Sequence, residues 1–93
     1  MFKAYVEMYG IPQNITTEIK VPVELNDIAS IKDIVAGLKQ KIPALEGPVI
    51  RPGQDRLIEN YAFIVNGQFQ LGDSDLQIQP DDRIVLVLLA TGG

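Results

Sequence analysis

Phe2, Ala4, Val6 and Met8 alternate with Lys3, Tyr5, Glu7 and Tyr9 at the start of the chain. A period of two is the mark of a strand with one buried face, so the spacing predicts a strand over 2–9. Gly10-Ile11-Pro12-Gln13-Asn14 supplies turn chemistry, and beyond it Thr17, Ile19, Val21 and Val23 alternate with Glu18, Lys20, Pro22 and Glu24. The two runs are expected to pair as a hairpin. Pro22 has no N–H to give to a ladder, which puts the second strand at a sheet edge with that position turned outward.

The period then changes. Ile31, Ile34, Val35, Leu38 and Ile42 recur at spacings of three and four, while Lys32, Asp33, Lys39, Gln40 and Lys41 fall on the other side. This pattern predicts an amphipathic helix, started by Ser30 and Asp33 as a capping box and stopped by Pro43. Gly37 inside it costs about 1 kcal/mol relative to Ala. Close approach to the sheet and a tolerated defect explain that glycine equally well. From Glu46 to Asn60 the chain carries Gly47, Pro48, Pro52 and Gly53 without periodicity and reads as a long loop with room for one short turn. Arg51 and Arg56 there fit a solvated connection more simply than a contact for an anionic partner.

Tyr61-Ala62-Phe63-Ile64-Val65 is a β-type run ending in Asn66-Gly67, a strong signal for a tight hairpin turn, with Gln68-Phe69-Gln70 returning from it. Asp73-Ser74-Asp75 and Pro80-Asp81-Asp82 bracket a polar connection. A calcium loop would need a glycine and a terminal glutamate that are missing here, so these carboxylates are read as turn formers. Ile84 to Leu89 is apolar at every position, as in a central strand covered on both sides. The order strand, strand, helix, strand, short strand, strand gives an α+β layout, with one helix across a single mixed sheet and the last strand parallel to the first at its centre. The folded domain is expected over 1–89, with 90–93 as a tail.

Composition narrows the chemistry. The 93 residues suffice for one core, and no apolar run approaches the roughly 20 residues of a bilayer span. The alternating first residues differ from the unbroken apolar stretch of a secretory signal, which leads to the expectation of a cytoplasmic protein. Asn14-Ile15-Thr16, which matches the N-glycosylation pattern, is accordingly read as a turn. The absence of Cys and His removes thiol nucleophiles, disulfides, imidazole bases and the usual zinc sites. A net charge of −4 with eight scattered Lys and Arg argues against nucleic acid as a partner. No catalytic activity, bound cofactor or metal is expected of the chain itself, because its acids lie in turns with no nucleophile beside them.

The element order resembles the β-grasp fold of ubiquitin-like proteins. Three groups of residues are similar, in order and spacing, to the sulfur-carrier family that includes the molybdopterin synthase small subunit and the thiamine-pathway carrier ThiS. They are Ile42-Pro43-Ala44-Leu45 at the helix end, Phe63-Ile64-Val65-Asn66-Gly67, and Asp75-Leu76 leading through Pro80-Asp81-Asp82-Arg83-Ile84-Val85 to Gly92-Gly93. Molybdopterin-type members carry a Pro-Pro pair where this chain has Leu88-Leu89. The thiamine-pathway carriers are usually shorter and lack an equivalent of the 46–60 loop, so length favours the molybdopterin-like branch or a less-studied relative.

The resemblance implies that the carboxylate of Gly93 is the working group. A free carboxylate is a poor electrophile and must be activated. In the family, an ATP-dependent adenylyltransferase of the ubiquitin-activating type adenylates the terminal glycine, and a sulfur donor displaces AMP to leave a thiocarboxylate. The acceptor would be a synthase such as the molybdopterin synthase large subunit. Gly92 and Gly93, preceded by the slender Ala90 and Thr91, suit a segment threaded into a narrow channel, although a Gly-Gly pair alone also fits a frayed terminus. Ile84, Leu86 and Leu88 are expected to face the helix. Val85, Val87 and Leu89 would then share the opposite sheet face with Tyr5, as a partner-binding patch or as a surface that the long loop covers. Two other uses of the same fold stay open: a protein modifier joined through Gly93 to lysines, and a binding module whose tail never reacts.

Overall fold

The computed structural model describes residues 1–70 and 75–89. Five strands and one helix follow the expected order: β1 (Phe2–Tyr9), β2 (Lys20–Leu25), α1 (Ile31–Lys41), β3 (Tyr61–Val65), β4 (Gln68–Gln70) and β5 (Ile84–Leu88), with a 3₁₀ turn at Pro43–Leu45 after the helix. The strands form one sheet in the order β2-β1-β5-β3-β4. β5 lies at its centre, parallel to β1 with Val6 opposite Ile84 and Tyr9 opposite Val87, and antiparallel to β3 with Val65 opposite Ile84. This is the mixed, single-helix β-grasp arrangement.

One face of the sheet carries the core. Ala4, Val6 and Met8 of β1, Val21, Val23 and Leu25 of β2, Phe63 and Val65 of β3, and Ile84 and Leu86 of β5 are all buried. Against them α1 lays Ile31, Ile34, Val35 and Leu38, the stripe expected from the spacing. Each fully buried branched side chain contributes about 1.5–3 kcal/mol, which together outweighs the roughly 1 kcal/mol cost of Gly37. Of the two explanations for Gly37, close approach holds: a Cβ there would run into Val23 Cγ1. The Ser30 N–H donates to Asp33 Oδ2 at 2.8 Å, which fixes the helix start.

The Met8 N–H donates to Ile19 O at 2.7 Å and thereby sets the phase of the β1–β2 ladder. In that phase Val21, Val23 and Leu25 exchange bonds with β1, whereas Lys20, Pro22 and Glu24 turn their backbone groups out of the sheet. Pro22 therefore sits on the edge strand where an N–H would otherwise face solvent.

Four expectations need correction. The second strand starts at Lys20, so Thr17 and Ile19 stand outside it; Ile19 is exposed and keeps one bond, from Met8, while Thr17 lies past the end of β1 at Tyr9. Leu88 shares the helix side of the sheet with Ile84 and Leu86 by alternation but is 46% exposed and stands outside the buried core. β5 is covered on one side only, since Val85 and Val87 remain partly exposed. The 46–60 segment is also less of a solvated loop than its composition suggests. Leu45, Val49 and Ile50 join the core at zero exposure, backbone bridges tie Glu46 to Ile50 and Ile50 to Leu57, and Arg51 pairs with Glu59 at 2.9 Å.

Candidate functional site

The face of the sheet away from α1 is built by strand alternation. β1 sends Tyr5, Glu7 and Tyr9 to it, and β5 sends Val85 and Val87. Register extends the row across β3 and β4: Glu7, Val85, Ile64 and Phe69 stand side by side, as do Tyr9, Val87 and Ala62. Tyr5, Tyr9 and Phe69 are 48%, 47% and 63% exposed. The 46–60 segment contributes Val49 and Ile50 to the buried core, while Val85 and Val87 stay partly exposed.

Tyr5, Val85 and Val87 of the expected patch thus share one face, and Leu89 continues β5 by donating its N–H to Asn60 O at 2.7 Å. The detail differs from expectation in one respect. Tyr5 lies opposite Pro22, below the start of β5, and the direct β1 neighbours of Val85 and Val87 are Glu7 and Tyr9. Tyr9, Ile64 and Phe69 were not among the expected patch residues. Tyr9 could have been found from the same alternation that selects Tyr5, and Phe69 from its place opposite Ile64 across the Asn66-Gly67 turn.

A charge cluster braces the aromatic rings. Arg83 donates to Glu7 through Nε at 2.8 Å and Nη2 at 3.3 Å, and the Tyr9 hydroxyl donates to the same carboxylate at 3.0 Å. These donors, Arg83 first and Tyr9 second, hold the Glu7 carboxyl below its ordinary value of 4.5. The same bond to Glu7 raises the Tyr9 hydroxyl above its ordinary value of 10.0. Lys20 Nζ lies 5.4 Å from the centroid of the Tyr5 ring. Each of the two tyrosines thus has one polar or cationic neighbour on this surface, and a restrained side chain pays a smaller ordering cost in a protein contact.

The motif residues behind the sequence resemblance have a structural task. Asn66 and Gly67 take φ of 53° and 84°, as a type I′ hairpin turn requires. From that turn Asn66 reaches the entry of β5: its Oδ1 accepts the Arg83 N–H at 2.9 Å and its Nδ2 donates to Asp82 Oδ1 at 2.8 Å. Asp82 Oδ2 in turn accepts the Gln79 N–H at 2.7 Å, so this carboxylate is a turn former as expected. Val-Asn-Gly and Pro-Asp-Asp-Arg therefore form one clamp that aims β5 along the sheet centre.

Ala90, Thr91, Gly92 and Gly93 lie outside the described residues, as do Asp73 and Ser74. Covalent geometry alone limits Gly93 to about 14 Å from Leu89, four residues at up to about 3.6 Å each. Among the described residues there is no group of three His, Cys, Asp or Glu able to hold a metal, and no helix is long and apolar enough to cross a membrane.

No family model and no curated protein sequence matches the chain. Solved structures do share its fold. A crystal structure of small archaeal modifier protein 1 from Haloferax volcanii superposes with a TM-score of 0.80 at 19% identity, covering 98% of this chain and 99% of that one. A second crystal structure of that protein gives 0.76 at 17% identity, covering 97% and 100%. The solution structure of small archaeal modifier protein 1 from Methanosarcina acetivorans gives 0.74 at 18% identity, covering 100% and 98%. At these identities the likeness establishes one thing, that the described residues have a β-grasp, ubiquitin-like fold.

Proposed function

We propose that this chain is a ubiquitin-like sulfur carrier activated at the carboxylate of Gly93. The observation that supports it is the open apolar face around Val85 and Val87, lying on the same central strand that leads into Ala90-Thr91-Gly92-Gly93. A partner seated on that face would have the glycine end within the reach of a few residues. In the proposed sequence, a carboxylate oxygen of Gly93 attacks the α-phosphorus of ATP on the partner adenylyltransferase and expels pyrophosphate. A sulfur nucleophile then attacks the acyl carbon, the bond to the phosphate oxygen breaks, and AMP leaves. The product is a thiocarboxylate, which an acceptor synthase would consume. Assembly of molybdopterin is the pathway favoured by chain length, through the 46–60 segment. The carrier needs no catalytic group or bound cofactor of its own, since ATP is consumed on the partner, and the proposed setting is the cytoplasm.

A second reading has its own support. Proteins named as modifiers share the fold over nearly the whole chain, so an amine of a target lysine is an alternative nucleophile toward the same adenylate. Incubation with a ubiquitin-activating-type adenylyltransferase, ATP and a sulfide donor tests the shared step. AMP release is expected with the full chain and not with a chain lacking Gly92 and Gly93. Equal AMP release by both would refute activation at Gly93, and no release with the full chain would leave a binding module.

A further inference from the structure

Gly10 stands where β1 ends, with φ of 81°. A Cβ built there would lie 2.7 Å from Leu88 Cβ and 3.4 Å from the Leu88 backbone N. Ordinary contact begins near 3.4 Å, so the two strands would have to part by about 0.7 Å (3.4 − 2.7) to admit one methyl group. Gly53 has a comparable φ of 72° but faces open space, so positive φ alone does not account for this tight passage. Close approach at Gly37 serves core packing against Val23, whereas Leu88 is nearly half exposed and adds little to the core.

What Leu88 does offer is position. It is the last residue of β5, held by β3 through its pairing with Tyr61. One residue further, Leu89 gives its N–H to Asn60 O at 2.7 Å. The final described residues of β5 are therefore fixed on the β3 side by hydrogen bonds and on the β1 side by the backbone of Gly10. We propose that Gly10 is a positioning residue that, with the carbonyl of Asn60, sets the point and direction from which the tail leaves the sheet. The inference rests on the proposed activation of Gly93. A side chain at position 10 would displace Leu88 and misplace the tail relative to a partner docked on the open face, leaving the docking residues as they are.

Gly10→Asn is the variant of choice, because Asn tolerates positive φ and so isolates the added Cβ. Gly53→Asn carries the same φ demand without the contact and serves as the control, and Gly10→Ala is a second version. Two readouts keep this inference apart from the function on which it rests. By NMR, Gly10→Asn should move the amide signals of Leu88, Leu89 and Ala90 while leaving those of α1 in place; no shift at Leu88 and Leu89 would overturn the proposal whatever the chain does in cells. By ATP–pyrophosphate exchange on the adenylyltransferase, Gly10→Asn should lower kcat about tenfold with KM unchanged, since misplacement on the ångström scale can cost up to about 10²-fold and a four-residue tail absorbs part of it. Gly53→Asn should match the parent. Replacing Leu88 with Gly in the Gly10→Asn background removes the opposing Cβ and should restore exchange. A raised KM with unchanged kcat, or a folded Gly10→Asn that exchanges at the parental rate, would overturn the proposal. So would failure of both Gly10 variants to fold, because Gly10 would then be a residue of stability. Absence of exchange with the parent itself would count against the proposed function, and the NMR shifts would still decide the Gly10 contact.

Discussion

Gly37→Ala separates two forces of similar size acting at one atom. Helix propensity favours Ala over Gly by about 1 kcal/mol, so an exposed site would be stabilised. Here the new methyl group would run into Val23 Cγ1, with Val23 Cβ and Cγ2 at 3.5 and 3.6 Å. Val23 is 1% exposed, and a β-branched side chain in a strand has few rotamers to retreat into. Overpacking of this kind costs about 1–3 kcal/mol, and the deep overlap places it toward the upper end. The net expectation is a loss of about 1–2 kcal/mol in urea unfolding, read as a lower midpoint with an unchanged slope. Val23→Ala alone should cost about 2 kcal/mol for the lost methyl groups and the void. In the double variant the methyl of residue 37 occupies that void, giving a favourable coupling of about 2 kcal/mol. A Gly37→Ala protein as stable as the parent, or strict additivity in the double variant, would refute the close-approach argument.

Leu86, at zero exposure in the central strand, should lose about 2–5 kcal/mol on replacement by Ala, measured by the same unfolding assay; a loss under about 1 kcal/mol would contradict its place in the core. The Glu7 carboxyl is depressed by Arg83 and then Tyr9, and that of Asp27 by the ammonium of Met1, which donates to it at 2.7 Å. A depressed carboxyl contributes stability in full above its unfolded-state value and loses it as pH falls through the lower folded value. Both contributions should therefore fade in acid, below the ordinary values of 4.5 and 3.8. An NMR titration should find both midpoints below those values, and Arg83→Gln should move the Glu7 midpoint back up; a Glu7 midpoint unmoved by that change would refute the pairing. Pro22→Val would restore an N–H to the outward side of β2 and should promote self-association by edge pairing, visible in light scattering as a concentration-dependent mass that the parent lacks.

The α+β order was legible because its signals are local and unmixed. Period two in 2–9, the three-and-four stripe from Ile31 to Leu38, and Asn66-Gly67 each point to one conformation. The start of β2 was misread because Thr17 and Ile19 continue the alternation where the ladder is running out: Ile19 keeps a single bond from Met8 and Thr17 lies past the end of β1, and a partner's length is not written in the pattern. Leu88 was placed in the core for a related reason: alternation fixes the side of the sheet, not whether the helix reaches that far. Val49 and Ile50 lie in a stretch of Gly and Pro without period, so their burial depends on tertiary folding of the segment back onto α1. The open face followed from parity of position, yet its neighbours did not. Glu7 and Tyr9, not Tyr5, flank Val85 and Val87, because the register of a parallel pair formed across most of the chain leaves no local trace in sequence.

The account stands on the chemistry of one carboxylate. Intact and tandem mass spectrometry of the protein isolated from its own cells reads it directly. The expected result is a fraction of chains in which sulfur has replaced one oxygen at Gly93, or, for the modifier reading, Gly93 joined through an amide to lysine of another protein. A Gly93 carboxylate found unmodified in every chain, in cells that function equally well with Gly92 and Gly93 removed, would contradict it.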